Sequence, residues 1–178
     1  VKGVRVRFVI PDIGGVFGER FSIALQDMTI ISLLSWKTGR PVKYVKDRRE
    51  MLMAGTNGAR DAVYYMEMAL KKDGTILGHK LKDITNEGGS AYYAGYYNTI
   101  KLTNITGLYK MKNIALEAYS VATNKGPGGS NRGLSKPHMG FILERMVDLA
   151  AKKLNLDPAE IRFRNFVSSP GRSSSAEA

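Results

Sequence analysis

The sequence predicts an α/β fold of mixed (α+β) character, a mixed sheet with packed helices. Three observations carry this. Two strand-like runs, 62–71 and 75–85, flank Lys72-Asp73-Gly74, and Asp-Gly between alternating runs is the strongest short hairpin signal. Residues 135–154 place Met139, Ile142, Leu143, Met146, Leu149, Ala150 and Leu154 on one face at helical spacing. Strand-like and helix-like runs otherwise alternate along 178 residues, enough for one domain or two small lobes with a real core.

Taken in order, 4–10 reads as a buried strand ending at Pro11-Asp12. Residues 20–37 read as a helix with Phe21, Leu25, Met28, Ile31 and Leu34 on one face; Gly39 suits its C-cap and Pro41 blocks continuation. Residues 41–46 make a short second strand. Asp47 can N-cap the next short helix, with Glu50 at the capping-box position. A turn is expected over 55–58, before the hairpin. The stretch 86–108, rich in Gly, Tyr, Asn and Thr, reads as loop with one short helix, and 113–122 as a further strand. Pro137 sits in the first turn of the long helix, where a missing N–H costs little. Asp157-Pro158 starts a last short helix, to about Arg164. The Ser-, Gly- and Ala-rich end predicts a domain over 1–167 and a disordered tail over 168–178.

The net charge of +11, from 27 Lys+Arg against 16 Asp+Glu, suggests an anionic partner, although the basic residues are spread along the chain. There are no cysteines. That excludes disulfides, cysteine-held iron–sulfur clusters and thiol nucleophiles from this chain, and it fits a cytoplasmic location. No run of about 18 apolar residues marks a membrane span. The chain opens on Val1 with a strand-like alternation, lacks the apolar stretch of a signal peptide, and is read as a fragment or processed chain.

Two glycine-rich segments stand out. One is Gly14-Gly15-Val16-Phe17-Gly18, followed by Glu19-Arg20; the other runs from Asn124 through Gly126-Pro127-Gly128-Gly129-Ser130-Asn131 to Arg132-Gly133. Each is set between a predicted strand and a predicted helix, so each can aim backbone N–H groups and a helix N-terminus at an anion. Neither has the spacing of a dinucleotide fingerprint or a P-loop. Phe17 between glycines is odd for a simple turn, since its ring needs a surface. Arg132 offers a planar fork to an oxyanion; the alternative is an arginine that pairs with a carboxylate and pins the loop. The two loops are expected at one end of the fold, around one ligand. His79 reads as a half-exposed strand residue, and His138 could face a site beside Arg132. Two separated histidines make no metal signature. Tyr92, Tyr93, Tyr96 and Tyr97 could line a pocket, an interface or a satellite apolar cluster. No Ser–His–Asp set or carboxylate pair suggests acid–base catalysis, and no catalytic residue is assigned.

In combination these motifs resemble the molybdopterin-binding region of the xanthine dehydrogenase, aldehyde oxidase and aerobic carbon monoxide dehydrogenase family. The likeness rests on Gly14 to Gly18, on Gly39-Arg40-Pro41-Val42-Lys43 leading to Asp47-Arg48-Arg49-Glu50, and on Leu70-Lys71-Lys72-Asp73-Gly74-Thr75-Ile76. It continues through Thr123-Asn124-Lys125-Gly126-Pro127 with Arg132-Gly133, and ends in the Asp157 to Asn165 helix. It implies that Gly15, Phe17 and Gly18 approach a molybdenum centre, and that Asn131, Arg132 and Gly133 contact the cofactor. Phe21, Ile100 and Leu134 would face the substrate. Phe21 and Ile100 stand where xanthine-oxidising members carry a glutamate and an arginine, which speaks against a purine substrate. Gly133 stands where carbon monoxide dehydrogenases carry a cysteine, which speaks against copper-dependent CO chemistry.

The implied cofactor is molybdopterin, with no iron–sulfur cluster or FAD in this chain. The implied partners are the remaining molybdenum-subunit segment, an iron–sulfur subunit and an FAD subunit, with a homo-oligomer possible and no membrane or nucleic acid. The chain would supply one side of the site and be inactive alone. The competing readings are a cofactor-free assembly remnant and a basic nucleic-acid-binding module.

Overall fold

The structure, a computed structural model, describes residues 7–15, 17–18, 24–54, 61–89 and 95–167. Its centre is the hairpin of β1 (Ala62–Leu70) and β2 (Ile76–Gly88), paired antiparallel. Asp73 closes the turn as the sequence predicts: its Oδ1 accepts from the Thr75 amide at 2.9 Å. The Gly74 amide donates to the Lys71 carbonyl at 3.0 Å. A third strand, β3 (Asn113–Ala122), runs parallel to β2, giving a mixed three-stranded sheet in the order β1-β2-β3.

The helical layer covers one face of this sheet. Between β2 and β3 lies α3 (Tyr96–Leu102), the one short helix expected in that stretch, and after β3 come α4 (Lys136–Leu154) and α5 (Pro158–Asn165). Leu81 of β2 packs with Ile105, Met139 and Ile142. Ile76 and Tyr109 pack with Val147, Ala150, Ala151 and Ile161. Each fully buried aliphatic side chain here stabilises the fold by about 1.5–3 kcal/mol. The buried stripe of α4 is rotated from the predicted one. Val147 and Ala151 are buried, Met146 is only half-buried, and Leu149 is exposed. Small Ala150 and Ala151 sit where α5 approaches, so close helix contact replaces bulky apolar contact on that side.

Asp157 caps α5, accepting from the amides of Ala159 at 2.7 Å and Glu160 at 3.1 Å. Asn165 then bolts α5 to the hairpin turn. Its Oδ1 accepts from the Ile76 amide at 2.8 Å, and its Nδ2 donates to the Gly74 carbonyl at 2.9 Å. Arg162 ties α5 to α4 through Glu144 and Asp148. Tyr109 donates to the same Glu144 at 2.7 Å, and burial together with that carboxylate pushes its phenol pKa up.

Nearer the N-terminus stand α1 (Ala24–Thr38) and α2 (Arg48–Ala54). The capping box of α2 is formed in both directions: Glu50 N donates to Asp47 Oδ1 at 2.7 Å and Asp47 N to Glu50 Oε2 at 2.9 Å. The predicted apolar face of α1 is not covered among the described residues; Leu25, Met28 and Leu34 are exposed, as is Trp36. Two predicted strands are corrected. Residues 7–10 and 41–46 carry no strand, because neither segment has a described neighbour to complete a backbone ladder. Residues 1–6, the turn over 55–58 and the tail 168–178 lie outside the described residues.

His79 is also corrected: it is buried and not half-exposed. The strand alternation puts it on the helix-covered face beside Met68 and Leu81. Among the described residues neither ring nitrogen has a hydrogen-bond partner, and burial lowers its pKa. A folded state that keeps the imidazole neutral has its full stability above the ordinary value of about 6.5. Below that, the unfolded chain binds a proton the folded chain refuses, and stability falls by at most about 1.4 kcal/mol per pH unit. The thermal midpoint is therefore expected to drop as the pH falls below about 6.5. His79→Leu should flatten that limb; an unchanged slope in the variant would exclude His79 as its source.

Candidate functional site

The two glycine-rich segments meet. Phe17 takes a left-handed backbone, φ 47°, and Gly18 follows at φ 107°. This kink turns the Phe17 ring back over Gly15, where an added Cβ would stand 2.9 Å from the ring. It also sets Gly18 directly against the second segment: a Cβ at Gly18 would lie 2.5 Å from the Ser130 carbonyl oxygen. The Arg132 guanidinium lies over the Phe17 ring, 5.7 Å from its centroid. Phe17 thus has the surface its position called for, a cation on one side and glycine backbone on the other.

The second segment leaves the carboxyl end of β3 and is laced to the carboxyl end of β2. Gly128 N donates to the Glu87 carbonyl at 2.9 Å, and Gly89 N to the Lys125 carbonyl at 2.9 Å. It then enters α4 through Gly133 at φ 85° and Leu134 at φ 52°. Among the described residues three non-glycine positions have positive φ, and two of them, Phe17 and Leu134, lie in these loops; the third, Asn155, caps α4. Such conformations cost about 1–3 kcal/mol each and collect at ligand sites.

The first segment was expected to follow a strand, and among the described residues it does not. What brings it to the carboxyl edge of the sheet is its packing on Ser130. Arg132 is exposed and, among the described residues, pairs with no carboxylate. The Asn131 side chain is spent locally, its Oδ1 accepting from the Arg132 amide at 2.7 Å. Leu134 is half-buried at the α4 entrance. Ile100 stands on α3 one turn past Tyr97, also half-buried. Arg20 and Phe21 lie outside the described residues, as do Tyr92 and Tyr93. His138 turns toward the sheet, its ring 6.3 Å from that of Tyr64 on β1.

Lys101, Asp83 and Thr85 support this corner and are not singled out by the sequence, whereas Tyr97 is one of its four candidate pocket, interface or cluster tyrosines. Tyr97 is fully buried and its hydroxyl lies 2.8 Å from Ser130 Oγ. Lys101, also on α3, is 1% exposed and forms an ion pair with fully buried Asp83 of β2. Its Nζ further donates to Thr85 at 2.6 Å and lies 5.4 Å from the Tyr64 ring centroid. The alternation of β2 puts Asp83 on the same face as His79 and Leu81, but alternation alone does not say which face the helices cover. Nothing local to Lys101 distinguishes it from a surface lysine.

The two glycine-rich loops, the strained Phe17 and the exposed Arg132 thus come together beside the carboxyl ends of β2 and β3. The chain belongs to the molybdopterin cofactor-binding domain family, whose model matches residues 1–166. The carbon monoxide dehydrogenase large chain of Hydrogenophaga pseudoflava is 37% identical over 174 residues, a match covering 92% of this chain and 20% of that protein. The molybdenum-binding subunit of a xanthine dehydrogenase from Escherichia coli is 30% identical over 160 residues, covering 90% and 21%. Among solved structures, quinoline 2-oxidoreductase from Pseudomonas putida 86 superposes with a TM-score of 0.78 at 32% identity, over 89% of this chain and 20% of that one. Aldehyde oxidoreductase from Desulfovibrio gigas gives 0.79 at 26% identity, over 90% and 17%. The chain thus spans about one fifth of the length of these relatives.

Proposed function

We propose that this chain supplies one side of the molybdopterin site in a molybdenum-dependent hydroxylase or dehydrogenase, and that other polypeptide segments complete that site. The observation that carries this is the packing of Phe17-Gly18 onto Ser130 with Arg132 over the Phe17 ring. The residues present fit the cofactor. Gly18 lets the first loop seat directly on Ser130, where a side chain would collide, and so brings both loops to one place. Arg132, which pairs with no carboxylate among the described residues, offers a guanidinium suited to a phosphate or another oxyanion. When bound, the cofactor would supply the two-electron redox chemistry by which such enzymes hydroxylate a substrate with water-derived oxygen. The chain's own part would be to position: Gly15, Gly18 and Gly133 let the loops pack closely beside the cofactor, Asn131 steadies the Arg132 backbone, Arg132 offers the charge, and Phe17 shields one side.

Phe21, Ile100 and Leu134 would line the substrate side, and their apolar character speaks against a purine. By resemblance Gly133 would stand where carbon monoxide dehydrogenases carry a cysteine, and the chain has no cysteine, which speaks against copper-dependent CO chemistry. The exposed apolar residues of α1, with Val63, Tyr65, Tyr119 and Val121 on the uncovered sheet face, suit burial by further polypeptide. Those partners would be the rest of the molybdenum subunit, an iron–sulfur subunit and an FAD subunit, in the cytoplasm. Among the described residues no helix is long and apolar enough to cross a membrane.

Arg132→Met tests the reading in the assembled enzyme. Loss of one charge-assisted bond should weaken cofactor retention by roughly 1.5–3 kcal/mol, seen as lower molybdenum and pterin content per protomer. Undiminished content would show that Arg132 does not hold the cofactor, and a parent enzyme without molybdenum would favour the assembly role. The 178-residue polypeptide purified alone should show no turnover of aldehydes, purines or CO.

A further inference from the structure

We propose that Tyr97 is a positioning residue of the pterin site, acting through Ser130 to set the distance between the two glycine-rich loops. This rests on the functional reading above. The support is a connected set of polar contacts, most of them buried. Helix α3 is held to β2 by Lys101 on Asp83 and Thr85. It is held to β3 by Asn98, whose Nδ2 donates to Ser120 Oγ at 3.1 Å. It is held to the start of α4 by Ser135, whose Oγ donates to the Tyr97 carbonyl at 3.0 Å. Tyr97 is therefore fixed on three sides, and its hydroxyl reaches out of α3 to Ser130 Oγ at 2.8 Å.

Ser130 is 1% exposed, and its backbone is the surface on which Gly18 rests. A shift of Ser130 moves the seat of Gly18 and, two residues on, Arg132. The phenol hydroxyl thus transmits the rigid sheet–helix geometry to a place where both loops touch. Its hydrogen bond touches no ligand. It fixes where the ligand's two walls stand, and Tyr97→Phe removes it while keeping the ring, which packs edge-on against Tyr96 at 5.5 Å.

The test uses the assembled enzyme, with Tyr97→Phe, Ser130→Ala and Arg132→Met beside the parent. Amide hydrogen exchange is read by mass spectrometry on cofactor-stripped protein, and molybdenum content on protein as isolated. In Tyr97→Phe and in Ser130→Ala, exchange at 17–18 and 130–134 should rise roughly tenfold, the weight of one buried hydrogen bond. Exchange across β2 and the second half of α4 should stay at the parental rate. Molybdenum content should fall in both variants. Parental exchange at both loops would overturn the proposal, as would a rise spread evenly over α3, α4 and β2. If Arg132→Met loses molybdenum while Tyr97→Phe retains it, the positioning role fails and the cofactor site stands. If Arg132→Met retains molybdenum, the site reading fails first and the positioning proposal, which rests on it, falls too.

Discussion

Gly18→Ala is expected to leave the enzyme nearly free of molybdenum while the helix–sheet core stays folded. Two effects act together. The backbone at φ 107° is one that a side chain rarely adopts, a strain of about 1–3 kcal/mol. The added methyl would also stand 2.5 Å from the Ser130 carbonyl oxygen and 2.8 Å from the Ser130 Cβ. Neither neighbour is the end of a flexible chain. Ser130 is buried and tied to Tyr97, so the first loop must move away instead, carrying Phe17 off Arg132. Gly18 belongs to neither apolar cluster, so the thermal midpoint should change little. Metal analysis of the purified variant beside a circular dichroism melt checks both halves. Parental molybdenum content would show that the loops need not touch.

Asp83→Ala should produce the largest loss of stability among single changes at this end of the sheet. The alanine leaves the Lys101 ammonium at 1% exposure without its carboxylate. Removing one partner of a buried pair costs about 3–5 kcal/mol, because the remaining charge is desolvated and uncompensated. For a domain of this size that corresponds to a fall in the thermal midpoint of roughly 6–20 °C. The double change Asp83→Leu with Lys101→Met removes both charges and keeps the volume filled. It should recover most of the loss, since well-packed apolar replacements of buried pairs are often neutral or better. Thr85 and Asn98, which also bond Lys101 Nζ, would still need partners, so recovery should be incomplete. A midpoint for Asp83→Ala within about 2 °C of the parent would mean that water reaches the ammonium and the pair is not truly buried.

Much of the fold was legible because its signals are local. Asp73-Gly74, the Asp47 and Glu50 pair, and Asp157-Pro158 each satisfy backbone groups within a few residues, and each appears where the sequence places it. The third strand, Asn113–Ala122, has the expected bounds. The failures share a cause. Residues 41–46 and 7–10 have strand-like composition, but a strand exists only where a partner completes its ladder. The buried face of α4 was displaced because α5 approaches over Ala150 and Ala151, a contact that periodicity within one helix does not encode. His79 looked half-exposed because alternation along β2 does not say which face the helices cover.

The same division runs through the site. Residue types alone determined that two permissive glycine segments and an arginine were available to an anionic group, and their order along the chain pointed to a molybdopterin-binding family. Glycine content and a guanidinium are properties of single positions, and a sequence carries those directly. Only the tertiary structure decided that the segments touch, that Phe17 lies between Gly15 and Arg132, and that Arg132 has no carboxylate to neutralise it among the described residues. It alone made Lys101 and Asp83 a buried pair and Tyr97 the partner of Ser130. These are contacts between residues far apart in the chain. They arise from the packing of α3 against β2 and α4, and no local pattern in the sequence records them.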